Sequence, residues 1–156
     1  MKKSVGTTLL TGACLLAASS LSTLAYGEEE GRFDRAIEYR QSVMNLFAWN
    51  VKPMGAMLKG KVPYDSASFT RHAKDLAAVA SVDLMSGFPE DSDAGETDAL
   101  ADIWLDFNDF QEKYKNLQIA SQHLSDAVSG SDKDKIQAAF TEVGKACKAC
   151  HKAYKN

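Results

Sequence analysis

Apolar residues recur every three or four positions through four long segments of this chain, and this periodicity constrains the fold more than any other feature. A spacing of three and four places apolar side chains on one face of a helix, whereas a half-buried strand would alternate apolar and polar residues. The segments cover residues 33–58, 65–84, 100–128 and 131–154, with a Gly-, Pro- and acid-rich loop at 86–97. The pattern predicts an all-α fold, most simply an antiparallel four-helix bundle.

Helix breakers and capping residues refine these segments. Pro53 lies inside the first segment and predicts a kink or an early break there. Asp65 can accept hydrogen bonds from the free amides that begin the second helix, and Ser131 with Asp134 is similar to a capping box before the last helix. Residues 100–128 predict one continuous third helix.

The first residues have the three-part pattern of a secretory signal peptide. Two lysines precede an apolar stretch that is diluted by Gly, Thr and Ser, and small residues suited to cleavage follow. We predict a signal peptide at 1–27, cleaved after Ala25 or Gly27, and a mature domain at 28–156. Cys14 would leave with the signal, and the mature protein would reside in the bacterial periplasm.

The mature chain would be mildly acidic. Cleavage removes two of the 18 Lys and Arg residues and leaves 16, against 21 Asp and Glu. A negatively charged chain has no electrostatic basis for binding nucleic acid or an anionic membrane. We therefore expect neither partner, and no membrane insertion of the mature chain.

Near the end of the last predicted helix the chain reads CKACH, residues 147–151. On a helix Cys147 and Cys150 share one face about a turn apart, and His151 lies one turn beyond Cys147. Covalent haem needs this arrangement, because two thiols add to its two vinyl groups while the neighbouring imidazole binds the iron from one side. The export signal agrees with this interpretation, because covalent haem is attached outside the cytoplasm.

Three other interpretations of the cysteine pair fit less well. A redox dithiol usually starts a helix that follows a strand, where the helix dipole lowers a thiol pKa. A zinc site would have to recruit His72 and His123, which we expect at the surface or at the edge of the apolar face of their helices. A disulfide between positions i and i+3 of a helix is geometrically awkward. The sequence therefore favours haem c.

The chain resembles class II c-type cytochromes, most closely the cytochrome c′ family. The resemblance rests on CKACH near the C-terminus, YRQS at 39–42, KGKVPYD at 59–65 and IW at 103–104, and it covers essentially the whole mature chain. It implies a four-helix bundle with one covalent haem c per subunit, His151 as the axial iron ligand, and a homodimer. A second apolar line on the first helix supports the homodimer: Tyr39, Val43, Leu46, Pro53 and Met57.

The resemblance also assigns residues to the edge of the haem. It implies that Arg40 and Gln41 hold the propionates; by pattern alone Arg40 is a charge on an apolar face, and its stem could instead extend to water. Thr97 and Asp98 correspond to a stretch that approaches the haem edge in relatives, although an ordinary helix cap would look the same. Lys155 stands where many relatives have an arginine beside the proximal histidine.

Met44, one turn after Arg40, matches the residue over the sixth coordination site of the iron. Leu84 and Phe88 correspond roughly to the bulky lining of the same distal pocket. In cytochrome c′ the distal residue is apolar and does not bind iron, so the five-coordinate, high-spin haem can take nitric oxide or carbon monoxide. In low-spin members of the class a methionine at this position is the second ligand, and the protein carries electrons.

These expectations lead to two functions for the mature chain. The first is reversible binding of a diatomic gas, and the alternative is electron transfer to a redox partner protein by a His/Met-ligated haem. Trp104, Phe107 and Phe110 are expected in the core. A peroxidase-type enzyme is not expected, because the sequence offers no distal His or Arg pair suited to cleaving an O–O bond.

Overall fold

The computed structural model describes residues 31–130 and 132–156. The predicted signal peptide, with Cys14, lies outside the described residues. The helices are α1 (Asp34–Leu58), α2 (Ser66–Ala80), α3 (Asp102–Leu105), α4 (Phe107–Ala127) and α5 (Lys133–Tyr154), and a 3₁₀ turn covers Leu84–Gly87. The four long helices pack in the order α1 on α2, α2 on α4 and α4 on α5, which confirms the predicted all-α four-helix bundle.

Helix α1 continues through Pro53, so the predicted early break at this residue is wrong. Met54 and Met57 directly after it are buried in the core, and their burial favours continuing the helix in spite of the lost backbone hydrogen bond. The helix ends instead before Gly60, which has a φ of 65° and donates its amide to the Met57 carbonyl at 3.1 Å. Glycine suits this left-handed position because it has no Cβ.

Aspartates cap the starts of three long helices, α2, α4 and α5. The prediction for α2 is confirmed, because Asp65 Oδ1 accepts a hydrogen bond from the Ser68 amide at 3.0 Å. The prediction for α5 is wrong by one residue. The cap is Asp132 rather than Ser131, and Asp132 Oδ1 accepts from the Asp134 amide at 3.1 Å. A carboxylate at the cap also complements the positive end of the helix dipole.

The predicted third helix is divided into α3 and α4. Asp106 between them has φ −137° and ψ 64°, outside the helical region, and its side chain accepts a hydrogen bond from the Asp109 amide at 3.1 Å. Asp106 therefore begins a new helix rather than continuing the old one. The break leaves Leu105 84% exposed on the short α3.

The apolar faces of the helices form one core. Phe110 is buried, and Trp104 and Phe107 pack against the core partly buried, as expected. The fully buried apolar side chains of large volume are Met54, Phe69, Leu76, Leu84, Ile103, Leu124 and Val143.

The second apolar line predicted on α1 is exposed only in part. Val43 and Met57 are buried in the core, whereas Tyr39 is 37% and Leu46 50% exposed. Trp49, which the sequence pattern did not single out, is 72% exposed on the same helix. The prediction therefore agrees with the large exposed apolar side chains of α1 only at Tyr39 and Leu46.

Residues 87–100 form an irregular connection of turns and bends, here called the strap, which leads from the 3₁₀ turn to α3. Its end pairs with the C-terminal residues: Leu100 donates its amide to the Tyr154 carbonyl at 3.1 Å, and Asn156 donates to the Asp98 carbonyl at 3.0 Å. Between these two hydrogen bonds, Ala99 forms an isolated antiparallel bridge with Lys155. The strap is thus fastened to the end of α5.

Within the described residues, the helices are either too short or too polar to cross a bilayer.

Candidate functional site

A cavity of about 630 Å³ lies between α1 and α5, with residues of the strap and α4 completing its walls. Small-molecule and cofactor sites commonly have volumes of roughly 300–1,000 Å³. The structure brings all the predicted site residues together on this cavity, although they come from four parts of the chain: α1, the 3₁₀ turn, the strap and α5. They are Arg40, Gln41, Met44, Leu84, Phe88, Thr97, Asp98, Cys147, Cys150 and His151.

The α5 wall carries the CKACH segment. Cys147 and Cys150 are free and partly buried. Burial raises the pKa of Cys147, and burial together with the neighbouring Cys147 raises the pKa of Cys150 to about 11. A redox dithiol requires a lowered thiol pKa, so this environment argues against that interpretation.

His151 stands beside the cysteines with its imidazole on the cavity wall. Burial, and secondarily the positive Lys155, lower the pKa of His151. The lowered pKa favours the neutral imidazole, whose nitrogen lone pair can bind a metal.

The histidines that a zinc site would need lie elsewhere. His72 is buried rather than at the surface, with its Nδ1 3.0 Å from Asn50 Oδ1, and His123 is exposed on α4. Residues 31–130 and 132–156 contain no group of three His, Cys, Asp or Glu side chains placed to hold a metal ion. The zinc interpretation has no support in the described residues.

Arg40 is 3% exposed, so the interpretation that its stem extends to water is wrong. Its Nη1 donates to the Gly87 carbonyl at 3.0 Å and to Ser92 Oγ at 2.8 Å. Its Nη2 donates to the Ser92 carbonyl at 2.6 Å and to Thr97 Oγ1 at 2.9 Å. The guanidinium thus holds the strap against α1 at three residues, Gly87, Ser92 and Thr97.

The four acceptors around Arg40 are neutral oxygens, so its positive charge is not cancelled by a contacting carboxylate. Burial lowers the pKa of Arg40, and the charge of Asp93 acts in the opposite direction. The guanidinium carbon lies 4.7 Å from the ring centroid of Phe88 and 5.9 Å from that of Trp104, within cation–π range. A buried cation on a cavity wall favours a ligand that brings a negative group.

The other predicted edge residues also contact the strap or belong to it. Gln41 Nε2 donates to the Glu96 carbonyl at 2.7 Å. Asp98 Oδ2 lies 2.8 Å from Lys155 Nζ, which links the strap to the end of α5 by an ion pair. Neither Thr97 nor Asp98 caps a helix, because α3 begins only at Asp102. These contacts join α1, the strap and α5 around one side of the cavity.

The remaining cavity wall is apolar. Met44 is 37% exposed and faces the cavity together with Phe47 and Val51 of the same helix. Leu84 and Phe88, from the 3₁₀ turn and the start of the strap, are buried behind this surface. Neutral ligands can enter such a surface at little cost, whereas an ion would lose its hydration without compensation.

The sequence patterns missed a polar cluster on the α4 side of the cavity. The Tyr154 hydroxyl donates to Asp109 Oδ2 at 2.5 Å, and Lys113 Nζ lies 3.1 Å from Asp109 Oδ1. These contacts, with the Tyr154 hydrogen bond as the larger cause, lower the pKa of Asp109. Asp109 and Lys113 have the i, i+4 spacing of a helical ion pair, which the sequence does reveal, but their meeting with Tyr154 depends on how α4 packs on α5.

The residues around the cavity fit haem c. Two thiols one helical turn apart match its two vinyl groups, and the imidazole beside them matches its iron. A buried cation whose four hydrogen-bond acceptors are neutral matches its propionates, and the apolar opposite wall matches its macrocycle. The match with haem c rests on the chemical character of the residues on each cavity wall, and all of these residues belong to this chain.

Comparisons with known proteins agree with this chemistry. Residues 35–155 match the family model described as Cytochrome C′. Cytochrome c′ of Halomonas halodenitrificans is 38% identical over 122 residues, which are 74% of this chain and 92% of that protein.

Solved structures are similar over most of the chain. Cytochrome c prime from Shewanella frigidimarina has a TM-score of 0.77 and 44% identity, covering 80% of this chain and 96% of that one. A nitric oxide complex of a cytochrome c prime mutant from Alcaligenes xylosoxidans has a TM-score of 0.71 and 35% identity, covering 80% of this chain and 95% of that one. The chain belongs to the cytochrome c′ family, whose cofactor is covalently bound haem c.

Proposed function

We propose that this protein is an exported haem c protein that reversibly binds small diatomic gases, such as nitric oxide or carbon monoxide, at a five-coordinate, high-spin iron. The observation that carries the proposal is the contrast between the cavity walls. One wall presents the neutral imidazole of His151, and the α1 wall presents apolar side chains. Among the described residues that line the cavity, His151 is the only histidine.

In this proposal Cys147 and Cys150 hold the haem through thioethers, and His151 binds its iron. Bound haem supplies an iron that takes a gas ligand and exchanges one electron. The chain's own residues provide fixed geometry: both cysteines and the histidine lie within the last two turns of α5, and α4 and the strap fasten that helix end.

Arg40 provides positive charge for the propionates in this proposal. Its Nη atoms are already engaged by the strap, so its part is mainly electrostatic, and Gln41 and Thr97 hold the strap in the matching position. This differs from a simple clamp in which Arg40 would direct its hydrogen bonds at the propionates. Asp98 reaches the same edge but is paired with Lys155.

The apolar wall sets the class of ligand. Met44, Leu84 and Phe88 provide no charge or strong hydrogen-bond donor to stabilise an anion, so small uncharged molecules are favoured. A family member solved as a nitric oxide complex supports this choice.

One set of absorption spectra tests the proposal. The oxidised and reduced forms of the haem-loaded protein should be high-spin, and the reduced form should change its spectrum on addition of carbon monoxide. A six-coordinate, low-spin spectrum that carbon monoxide leaves unchanged would reject it.

The second candidate is an electron carrier in which Met44 is the sixth ligand. The observation in its favour is that Met44 lines the same cavity as His151 and is 37% exposed there. Met44→Ala should then convert a low-spin spectrum to a high-spin one. Met85→Ala is a matched control, because Met85 is partly buried but does not line the cavity. If neither variant changes the spectrum, the electron-carrier assignment fails.

The proposal includes processing and location. The signal peptide at 1–27 is removed, and the mature chain works in the periplasm as a homodimer without catalysing a reaction of its own. N-terminal sequencing of the periplasmic protein should begin at Tyr26 or Glu28, after cleavage at Ala25 or Gly27. A start at Met1 would contradict the export step.

A further inference from the structure

Three lysines form one line on α5 and a fourth follows the end of the helix: Lys145, Lys148, Lys152 and Lys155, here called the basic stripe. The spacings of three and four residues place the three helical lysines within an arc of about 60° on a helix with 3.6 residues per turn. All four are exposed. From residue 143 onward the sequence has no Asp or Glu.

The two central lysines carry the exposed charge of the stripe. Lys145 pairs with Glu142 at 2.8 Å, and Lys155 pairs with Asp98 at 2.8 Å. Lys148 and Lys152 form no ion pair with any residue in the described part of the chain. Partnerless lysines close together repel one another, so the stripe is a surface that an approaching anionic group would stabilise.

The stripe borders the CKACH segment. Lys148 lies between the two cysteines in sequence, and Lys152 directly follows His151. Because one residue turns the helix by about 100°, Lys148 and Lys152 lie on a different side of the same turns from the thiols and the imidazole, whereas Lys155 itself lines the cavity. A partner bound to the stripe would therefore sit one helix thickness from the haem attachment site.

The rest of the molecule has the opposite charge. Residues 75–112, which include the strap and α3, contain many Asp and Glu but no Lys or Arg. An acidic partner would be repelled by this region and attracted by the basic stripe, so the two regions together set its orientation.

We propose that the basic stripe is the docking surface for a redox protein with an acidic patch, which exchanges one electron with the haem of this protein. The partner gives up one electron and ferric iron becomes ferrous, or the reverse, and no covalent bond forms or breaks. The inference rests on the proposed haem attachment at Cys147 and Cys150, and it adds the class of partner and the side from which it approaches.

The test uses haem-loaded protein and two small oxidants of opposite charge. Ferrous protein is mixed under argon with anionic hexacyanoferrate(III) or with the cationic tris(phenanthroline)cobalt(III) complex, and its oxidation is followed by stopped-flow absorbance. With Lys148→Glu and Lys152→Glu combined, the rate with the anion should fall about fivefold at low ionic strength, and the rate with the cation should rise. Both differences should shrink at about 0.3 M salt.

A matched control combines Lys59→Glu with Lys61→Glu, which makes the same change in net charge at the opposite end of the bundle. The control should change either rate by less than about twofold. Equal effects of the two double variants would assign the result to net charge and overturn the proposal, as would unchanged rates in the stripe variant.

Reduction potentials and carbon monoxide spectra of each variant complete the test. Equal potentials show that the driving force is unchanged, so a rate difference then supports the docking surface. A stripe variant that binds carbon monoxide like the parent but shows no rate difference rejects the docking surface alone. Failure of the parent to bind carbon monoxide rejects the proposed gas-binding function, while the rate comparison still decides on the stripe.

Discussion

At the scale of single residues, Arg40 connects the walls of the cavity. It is buried and donates four hydrogen bonds to oxygens of the strap and the adjacent turn. Hydrogen bonds from a charged group are stronger than those between neutral groups, and a buried acceptor that loses its donor costs free energy of its own.

Replacing Arg40 should therefore cost stability as well as the charge at the cavity. We expect Arg40→Met to lower the free energy of unfolding by about 2–4 kcal/mol, because the acceptors on Ser92 and Gly87 are left without donors. Urea denaturation followed by circular dichroism measures the change. Arg71→Met is the control, because Arg71 is exposed and contacts only its own helix turn. Equal losses in both variants would contradict the strap-holding role.

Gly87 lets the strap approach α1 closely. A Cβ at this position would lie 2.8 Å from Cδ1 of Tyr39 and 3.1 Å from Cβ of Arg40, which is closer than side-chain carbons normally come. The turn and the helix would have to move apart to admit a methyl group.

Gly87→Ala should destabilise the protein by about 1–3 kcal/mol through this overpacking. Gly144→Ala makes the same chemical change inside α5, where a Cβ meets no atom within 4 Å. That variant should gain about 0.5–1 kcal/mol, because alanine favours the helix. Thermal unfolding of the two variants gives shifts of opposite sign, and shifts of the same sign would refute the close-approach argument.

The sequence identified Arg40 as unusual but could not identify its partners. A charge on an apolar helical face is visible in the periodicity, whereas Ser92 and Thr97 follow more than fifty residues later in a strap without periodicity. His72 shows the same limit, because its burial depends on Asn50 of another helix. Local patterns report which face a residue occupies, and tertiary contacts decide what it meets.

At the scale of helices, the end of α5 is held by a hydrogen bond from Tyr154 to Asp109 of α4. The Tyr154 ring also packs edge-on against Phe110, with centroids 5.3 Å apart. These contacts begin three residues after His151, so they help to fix the helix turn that carries it.

Tyr154→Phe should lower stability in a pH-dependent way. The Tyr154 hydrogen bond lowers the pKa of Asp109 below its ordinary value of 3.8, so its stabilising effect is fully present above that value. The effect is lost as the pH falls through the lowered pKa of the folded state, when the carboxylate takes up a proton. The stability difference between parent and variant should therefore be constant from about pH 5 to 7 and shrink below pH 3.8.

Tyr114→Phe provides the control for this pH dependence. The Tyr114 hydroxyl donates to the carbonyls of Ala80 and Val82, which do not titrate. Its loss should lower stability by a similar amount at every acidic pH. Denaturant titrations over the same pH range compare the two variants, and parallel curves would rule out a role for the Asp109 carboxylate.

The presence and approximate extent of the four long helices followed from the apolar period, because burying one face of each helix is the main source of stability. The helix boundaries that depend on a single polar side chain did not follow from the apolar period. Asp106 fits the polar side of a continuous helix as well as it fits a cap, and only the packing of α3 separates the two. Asp132 and Ser131 are likewise both good caps by composition.

At the scale of the whole molecule, the exposed apolar surface of α1 suggests a partner. Trp49 is 72% and Leu46 50% exposed, on a helix whose other face lines the core and cavity. In the proposed homodimer this surface packs against the same surface of a second copy.

Trp49→Glu should convert a dimer to a monomer, because it places a charge where an apolar side chain would be buried. Light scattering after size exclusion should give twice the chain mass for the parent and the single mass for the variant. Leu105→Glu tests another exposed apolar residue, 84% exposed on α3, and should leave the dimer intact. A monomeric parent, or dissociation by Leu105→Glu alone, would contradict this interface.

The cavity is bounded by the first and last long helices, and this has a consequence for the order of assembly. Synthesis proceeds from the N-terminus, as would the proposed export, so α1, α2 and α4 are available to pack before α5 arrives with its cysteines. The contacts of α1 with α2 and of α2 with α4 do not involve α5. Cofactor attachment thus becomes the closing step of maturation, and a chain that stalls before residue 147 would present an open, apolar groove to the quality-control proteases of its compartment.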